Sequence, residues 1–335
     1  MNNVKQLFKN FLIKTSKALV GEDRLYSFLL WRGLKVRHLT KFYHFKTNQE
    51  PTSEPPTLIF MADGKCMHGG ITDRLKGMVG AWSFAKKRNL NFKIFHKSPF
   101  SLEDVLQPAK VQWKITDKEL SFDRRVAKPV LLYHYDFNNE TALERQLDSF
   151  HQQFHLYSCV DLSKDSFADC FHELFRPAPI LQNLLDAYRE KLQRPYLAIS
   201  FRFQNLLGDF HEWKFKSLSE DEKEDLVERA ENAIKAIKES HPKYDTLLIT
   251  ADSPSFLARV SKWPGVVTVD GCSTHIDFDK NGEVQRYLKS FVEFFLISEA
   301  SEAILYTDKK FKTYLSAFPQ YAAKLKDIPF STFQF

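Results

Sequence analysis

The 335-residue chain has only four cysteines, and no two of them form a Cys-x-x-Cys pair: Cys66, Cys159, Cys170 and Cys272. Disulfide frameworks and structural zinc sites are recognised by closely spaced cysteines. Neither is therefore expected, and the cysteines are predicted to be free thiols in a reducing compartment.

Membrane and export signals are also missing. No run of about 20 apolar residues is present, so no membrane-spanning segment is predicted. The first residues carry lysines every few positions, without the apolar core and small-residue cleavage site of a signal peptide. Internal repeats and low-complexity segments are not found. We expect a soluble, cytoplasmic protein.

The net charge of +6 is concentrated at one end of the chain. Residues 1–50 hold ten Lys/Arg against three acidic residues, whereas the remainder holds 38 basic and 39 acidic residues. Apolar residues follow a helical spacing at the start, so 1–46 is predicted to be a basic amphipathic helical segment. It either docks on the body of the protein or lies on an anionic membrane surface. Nucleic-acid binding is disfavoured because the basic charge does not continue into the main body.

A polar, proline-rich linker, 47–56, separates this segment from the rest. Beyond it, strand and helix patterns alternate, which predicts α/β structure with parallel sheets and right-handed crossovers. A chain of this length suits two such domains, which we place at 57–176 and 177–335. The predicted strands are 57–61, 91–96, 157–161, 196–203, 246–250, 266–270 and 303–307. The main predicted helices are 73–88, 140–154, 219–240, 254–263 and 285–300.

The first predicted strand leads into Met67-His-Gly-Gly-Ile-Thr-Asp-Arg-Leu-Lys-Gly-Met-Val-Gly80. Gly69 and Gly70 allow a sharp turn, and Thr72 or Asp73 can cap the helix that follows. The exposed N–H groups of such a helix start favour anions. The glycine spacing is that of neither a Walker loop nor a dinucleotide fingerprint, and a turn made for packing alone remains an alternative.

Ligands of parallel α/β sheets bind beyond the carboxyl ends of the strands. Arg202 stands at one such end and suits a pyrophosphate, because its planar fork donates two parallel hydrogen bonds. The alternative is a salt bridge to Asp209 or Asp252. Asp252 suits a ribose or a base amine, unless it or Ser253 caps the next helix.

Four segments, in order, resemble the fucosyltransferase superfamily, which includes plant xyloglucan, nodulation-type, α-1,2- and protein O-fucosyltransferases. The stretch Gly-Gly-Ile-Thr-Asp-Arg-Leu-Lys-Gly77 is similar to its glycine-rich turn. Cys170-Phe-His-Glu-Leu-Phe-Arg-Pro-Ala-Pro-Ile-Leu-Gln182 resembles its Leu-Phe-x-Pro-Ser helix entry. Tyr196-Leu-Ala-Ile-Ser-Phe-Arg202 resembles its strand ending in His-x-Arg. The segment 295–311 resembles its C-terminal helix, strand and Ser-x-x-Ser-x-Phe motif.

The resemblance implies the GT-B architecture, two Rossmann-like domains that face each other across a cleft. It also implies an inverting, metal-independent glycosyltransferase that transfers fucose from GDP-fucose to a glycan or lipid-linked saccharide, with no cofactor and no metal site. The donor-binding residues are expected to be Gly69, Gly70, Arg74, Arg202, Asn205, Asp252, Ser253, Thr307, Lys310 and Phe311.

The remaining roles are less specific. Arg202 is expected to stabilise the leaving pyrophosphate. Asp73, Asp209 and Glu212 are candidate bases, and His68 and Asp209 are expected to face the sugar or acceptor. The chain departs from the family at Ser200, where a histidine is usual, and at 308–310. Another nucleotide-sugar donor, or an inactive glycan- or nucleotide-binding relative, therefore stays open.

Overall fold

The computed structural model describes residue 15 and residues 34–45, 55–132, 139–162, 165–210, 216–271, 273–277, 282–311 and 315–335. Most of the predicted N-terminal segment 1–46, including the proposed amphipathic helix, lies outside these residues, as does most of the linker 47–56. The part that is described contains helix α1 (Leu34–Thr40).

The first half of the chain forms a four-stranded parallel sheet. Its elements after α1 are β1 (Thr57–Ala62), α2 (Ile71–Lys87), β2 (Asn91–His96), β3 (Leu106–Pro108), β4 (Ala127–Leu132), α3 (Asn139–Leu147), β5 (Gln153–Ser158), α4 (Phe167–Leu174) and β6 (Phe175–Pro177). The strand order is β2-β1-β5-β4, and every neighbouring pair is parallel. β3 and β6 form a separate antiparallel pair.

The second half forms a five-stranded parallel sheet. Its elements are α5 (Pro179–Lys191), β7 (Tyr196–Phe201), α6 (Glu220–Ser240), β8 (Thr246–Ala251), α7 (Pro254–Val260), β9 (Val266–Val267), α8 (Gln285–Glu299), β10 (Glu302–Thr307), α9 (Ala317–Lys324) and β11 (Phe330–Gln334). The order is β11-β10-β7-β8-β9, again with all pairs parallel. The predicted fold class, α/β with two parallel sheets, is confirmed; the domain boundary at 176/177 stays a prediction.

Several local predictions were wrong for identifiable reasons. The helix predicted at 140–154 ends at Leu147, because Phe154 and its neighbours form the central strand β5. Strand β4 was missed; it contains Pro129, which a strand tolerates at a sheet edge, and β4 pairs only with β5. The C-terminal strand β11 was also missed, since it is a partly exposed edge strand with little apolar patterning.

Helix α2 lies unusually close to the first sheet. A Cβ atom added at Gly77 would lie 2.6 Å from the carbonyl oxygen of Ser158, and one at Gly80 would lie 2.4 Å from the backbone nitrogen of Leu162. Only glycine permits such contacts between backbones. These contacts place the middle of α2 against the carboxyl end of β5 and the residues that follow it.

Helix α8 is central to the second half. It is buried along most of its length and packs against α5 and α9. Two charged residues, Lys289 and Glu293, are among its buried side chains. Charged groups are rarely buried without a partner, so their position bears on the site described next.

Candidate functional site

A cleft of about 380 Å³ lies between the two sheets. The first turn of α2 forms one wall, and the carboxyl ends of β7, β8 and β10 form the opposite wall. Helix α8, the loop 273–276 and the start of α9 complete the lining. The predicted site residues that line this cleft are Gly70, Asp73, Arg202 and Asp252. Residues from distant parts of the sequence therefore meet where ligands of parallel sheets usually bind.

Arg202 is held in the cleft by Asp252. Its Nη1 atom donates to the Asp252 Oδ2 atom over 2.7 Å, and its guanidinium lies 4.7 Å from the centre of the Phe210 ring. The backbone N–H groups of Phe203 and Gln204 donate to the same carboxylate, at 2.9 and 2.7 Å. Burial raises the pKa of Asp252, although Arg202 and the two amides oppose this. The pair predicted as the alternative to a ligand-binding role is thus present.

Three of the residues that line the cleft, Ser200, Thr250 and Glu293, are buried and polar. The hydroxyl groups of Ser200 and Thr250 are 2.8 Å apart, at the position where the related motif has its histidine. Glu293 is 4% exposed and accepts a hydrogen bond from Lys289, whose Nζ also donates to the carbonyl oxygen of Val269 over 3.0 Å. Burial raises the pKa of the Glu293 carboxyl, against the effect of Lys289.

Glu293 was missed by the sequence analysis. The only available signal was a charged pair with i, i+4 spacing on a helix that is otherwise strongly apolar, which also fits an exposed face.

The start of helix α2 forms one wall of the cleft. It begins at Ile71 with Gly70 at the N-cap, and no side chain caps it; the prediction that Thr72 or Asp73 provides the cap is wrong. Asp73 instead forms an ion pair with Lys76, at 2.6 Å. The buried Oγ1 atom of Thr72 has no hydrogen-bond partner among the described residues. A capless helix start and an unpaired hydroxyl both favour an anionic ligand at this wall.

The glycine turn before α2 contacts the other half of the chain. Gly69 has φ +83°, and its N–H donates to the Asp277 Oδ2 atom over 2.5 Å. Arg74 is buried, and its Nη2 donates to the Asp277 Oδ1 atom over 2.8 Å. Burial lowers the pKa of Arg74, and Asp277 opposes this. Gly69 and Arg74, both predicted to bind the donor, are therefore already engaged by a carboxylate of the protein.

His68 lies beneath this turn. Its Nδ1 is 3.3 Å from the carbonyl oxygen of Ser158, and its Nε2 has no partner among the described residues. Burial, with a smaller contribution from Arg74, lowers the pKa of His68 to about 4. The imidazole is therefore neutral at neutral pH.

Other predicted site residues lie away from the cleft lining. Ser253 caps α7, and Asp209 accepts from the Ser253 hydroxyl over 2.7 Å. Lys310 is largely exposed, 3.6 Å from Asp225. Thr307 is buried at the end of β10, and Phe311 packs against the hydrophobic core of the second sheet. Asn205 lies in the turn after β7. Glu212 lies outside the described residues.

The segment that lines the cleft near the C-terminus is 315–319. The Ser316 hydroxyl accepts from the Phe318 N–H over 3.3 Å and caps α9. The family's Ser-x-x-Ser-x-Phe motif was expected within 295–311, and that assignment stays a prediction. A Ser-x-Phe sequence also occurs at Ser316-Ala-Phe318, in the lining of the cleft.

The fold resembles solved fucosyltransferase structures. NodZ α-1,6-fucosyltransferase soaked with GDP-fucose has a TM-score of 0.53 at 16% identity, and the match covers 81% of this chain and 93% of that one. A point variant of Arabidopsis thaliana FUT1 in complex with GDP has a TM-score of 0.53 at 9% identity, covering 97% and 78%. NodZ from Bradyrhizobium has a TM-score of 0.52 at 15% identity, covering 81% and 92%.

In sequence, no protein-family model and no curated protein matches the chain. The structural likeness concerns the fold, and it confirms the predicted resemblance to GT-B fucosyltransferases at that level. No helix within the described part of the chain is long and apolar enough to cross a membrane.

Proposed function

We propose that the protein is an inverting glycosyltransferase that uses a nucleoside-diphosphate sugar, GDP-fucose. The observation that carries this proposal is the position of Arg202, at the carboxyl end of β7 and across the cleft from the first turn of α2. The Asp252 carboxylate fixes the guanidinium on one side. The likeness of the fold to that of NodZ α-1,6-fucosyltransferase supports the same assignment.

The donor diphosphate is proposed to lie between two helix starts and Arg202. No side chain caps α2, and the Thr72 hydroxyl there has no partner among the described residues. The start of α9 at Ser316 lines the same cleft. Backbone N–H groups and a guanidinium are the usual partners of phosphate oxygens. As the sugar leaves, these groups stabilise the charge that develops on the diphosphate.

The nucleobase is proposed to bind near Glu293. A guanine presents two neighbouring N–H donors, and a carboxylate that lines the cleft accepts hydrogen bonds from such donors. One oxygen of Glu293 is engaged by Lys289. Ser200 occupies the position at which the family's His-x-Arg motif has its histidine. This difference favours a second candidate function, a transferase that uses another nucleoside-diphosphate sugar.

Asp73 is proposed to accept the proton of the acceptor hydroxyl. It lines the cleft at the α2 wall, and its side chain is 32% exposed, in contrast to the buried Asp252 and Glu293. The acceptor oxygen attacks the anomeric carbon from the face opposite the diphosphate, and its proton passes to Asp73. The bond from that carbon to the diphosphate oxygen breaks, and the electron pair leaves with the diphosphate.

The acceptor is proposed to be a glycan or a lipid-linked saccharide. The basic segment 1–46 would then hold the enzyme at the cytoplasmic face of a membrane, because basic residues are attracted to anionic lipids. Flotation with anionic vesicles, at low and high salt, tests this part. Recovery of the full-length protein and of a version lacking residues 1–20 in the same soluble fraction would exclude it.

Thermal unfolding in the presence of nucleotides tests the donor. A ligand at one hundred times its Kd stabilises the native state by about 2.7 kcal/mol. We expect a higher Tm with GDP and GDP-fucose, in EDTA and in magnesium alike, and a smaller increase with inosine diphosphate, which lacks the guanine amino group. Stabilisation by UDP-sugars alone, or a strict metal requirement, contradicts the assignment. Release of fucose and GDP from GDP-fucose separates an enzyme from an inactive binder.

A further inference from the structure

We propose that Asp277 is a positioning residue that joins the two walls of the cleft, and that the glycine turn at 68–69 binds this carboxylate and not the donor phosphate. The assignment of the cleft to a sugar donor rests on the proposed function, whereas the contact itself does not. Asp277 belongs to the loop 273–277 of the second half, and the turn belongs to the first half. The contact is therefore a direct link across the cleft.

Both oxygens of Asp277 are used. Oδ1 accepts from the His68 N–H over 3.2 Å and from the Arg74 guanidinium over 2.8 Å, while Oδ2 accepts from the Gly69 N–H over 2.5 Å. The Asp277 and Arg74 side chains are 4% and 6% exposed. A carboxylate that accepts hydrogen bonds from two backbone amides and pairs with a guanidinium satisfies all these donors at once. It leaves the amides at 68 and 69 no capacity for phosphate.

The turn is shaped for this contact. Gly69 has φ +83°, and a Cβ atom there would lie 2.3 Å from the Asp73 Oδ2 atom. A side chain at this position would displace the Asp73 carboxylate, and its residue would be strained in this left-handed conformation. The turn that directs two backbone amides at Asp277 therefore explains why residue 69 is a glycine. No contact between this glycine and a ligand is needed.

Arg74 is a fixed partner because the first half holds it on its other side. Its Nη1 donates to the carbonyl oxygen of Ser98 over 3.0 Å and lies 3.2 Å from the His96 Nε2 atom. Burial and Arg74 hold the pKa of His96 well below its usual value, so the imidazole is neutral and can accept. The His96 Nδ1 lies 3.1 Å from the Phe100 carbonyl oxygen, which suits the matching tautomer. If the loop 273–277 moves, the Arg74 guanidinium stays bound to the first half, and its contact with Asp277 breaks.

The loop that Asp277 holds forms part of the cleft wall. Thr274, His275 and Ile276 line the cleft, and the Asp277 N–H donates to the His275 Nδ1 atom over 3.3 Å. Asp277 also begins an Asp-Phe-Asp sequence, 277–279, with the spacing of a metal motif that the sequence analysis overlooked. Its two oxygens face N–H donors, which is the arrangement of a structural contact. Loss of Asp277 is expected to change the geometry of the wall without removing a donor ligand.

Hydrogen exchange of the unliganded protein tests the contact directly. In Asp277→Asn, we expect peptides covering 66–76 and 270–277 to exchange together at least about tenfold faster, since both depend on one opening event. The peptide of β8 should be unchanged. The matched control is Asp165→Asn, which removes a carboxylate bound by Ser83 near the other end of α2. Unchanged exchange in either of the two peptides overturns the proposal.

Measurements of GDP binding and of turnover test whether Asp277 positions the cleft wall or serves the donor site. We expect Asp277→Asn to keep the Kd for GDP within about threefold and to lower turnover of GDP-fucose by about a hundredfold, as for a displacement of roughly 1 Å. A loss of GDP affinity that equals the loss of turnover would assign the turn to the donor and overturn the proposal. If the parent protein fails to bind GDP, the proposed function is wrong, and the exchange experiment still decides the contact. Should Asp277→Asn not fold, Asp277→Glu carries the same measurements.

Discussion

Arg202 and Asp252 form an ion pair whose carboxylate is also bound by the protein backbone. Asp252 is 5% exposed and accepts from two backbone amides as well as from Arg202. Arg202 is 16% exposed and borders the cleft. The pair orients a cation toward the cleft while keeping the buried carboxylate satisfied, so the salt bridge and the ligand-binding role are compatible.

We expect Arg202→Ala to lose nucleotide binding and also some stability. It leaves Asp252 buried without its cation, which costs on the order of 3 kcal/mol in comparable pairs. Arg202→Lys should keep most of the stability yet bind GDP at least about tenfold more weakly, because an ammonium cannot form the bidentate phosphate contact. Calorimetry and urea denaturation measure both effects.

The control for Arg202 is the double variant Arg202→Met with Asp252→Asn, which removes both charges. It should recover stability without recovering GDP binding. Parental GDP affinity in Arg202→Ala would exclude the pyrophosphate role.

The hydroxyl of Thr72 offers a test that does not disturb packing. Because its buried Oγ1 has no partner among the described residues, Thr72→Val should leave the free energy of unfolding unchanged or raise it slightly. If the hydroxyl serves the donor, the same change weakens GDP binding by about tenfold, or about 1.4 kcal/mol.

Thr307 provides the comparison, since its Oγ1 is also buried without a described partner but does not line the cleft. We expect Thr307→Val to bind GDP like the parent. Equal losses in both variants would restore Thr307 to the donor site, as the sequence predicted.

Asp73→Asn is expected to lower kcat by roughly 10²- to 10⁴-fold, the range for loss of a general base. The Kd for GDP should stay within about threefold, because Asp73 is proposed to contact the acceptor. Single-turnover transfer and equilibrium binding separate these effects. A variant with parental kcat would remove Asp73 from the mechanism. Asp209, and Glu212 outside the described residues, would then be the remaining candidates from the sequence.

Buried histidines predict a loss of stability in mild acid. Burial lowers the pKa of His68 to about 4 and that of His155 to about 3, and it also lowers the pKa of His96. Their usual value is 6.5. The unfolded state therefore binds more protons below pH 6.5, so the free energy of unfolding should fall as the pH falls from about 6.5 toward 4. Above pH 6.5 this contribution is fully present.

Asp252 and Glu293, whose pKa values are raised by burial, take up protons in the folded state and partly oppose this trend. A net uptake of one to three protons corresponds to about 1.4–4 kcal/mol per pH unit. Urea denaturation between pH 7 and 5 measures this slope. His68→Asn should reduce it by about one proton, whereas His38→Asn serves as the control for removing an exposed imidazole. A flat profile would contradict the prediction.

The sequence predicted the site residues best where they follow a buried strand that the hydrophobic periodicity identifies. Arg202, Asp252 and Gly70 were found because residues after buried strands of a parallel sheet meet at one edge. Glu293 and Asp277 could not be found in this way. One lies within a helix and the other in a loop, and their role depends on partners such as Lys289 and Arg74 that only the tertiary structure brings near.

Local propensity failed at the sheet edges and at the C-terminus. β4 contains a proline, and β11 has no clear alternation, so neither resembles an isolated strand. Both become strands because a neighbouring strand offers a ladder of hydrogen bonds.

The close approach of α2 to the first sheet has a mechanical consequence. At Gly77 and Gly80 the helix backbone touches the backbone at Ser158 and Leu162 without intervening side chains. A helix seated in this way cannot slide or roll without colliding with the chain beneath it, so its N-terminal turn is a stationary reference surface. Any widening of the cleft must come from displacement of the facing half, and the energy of that displacement is set by contacts across the gap.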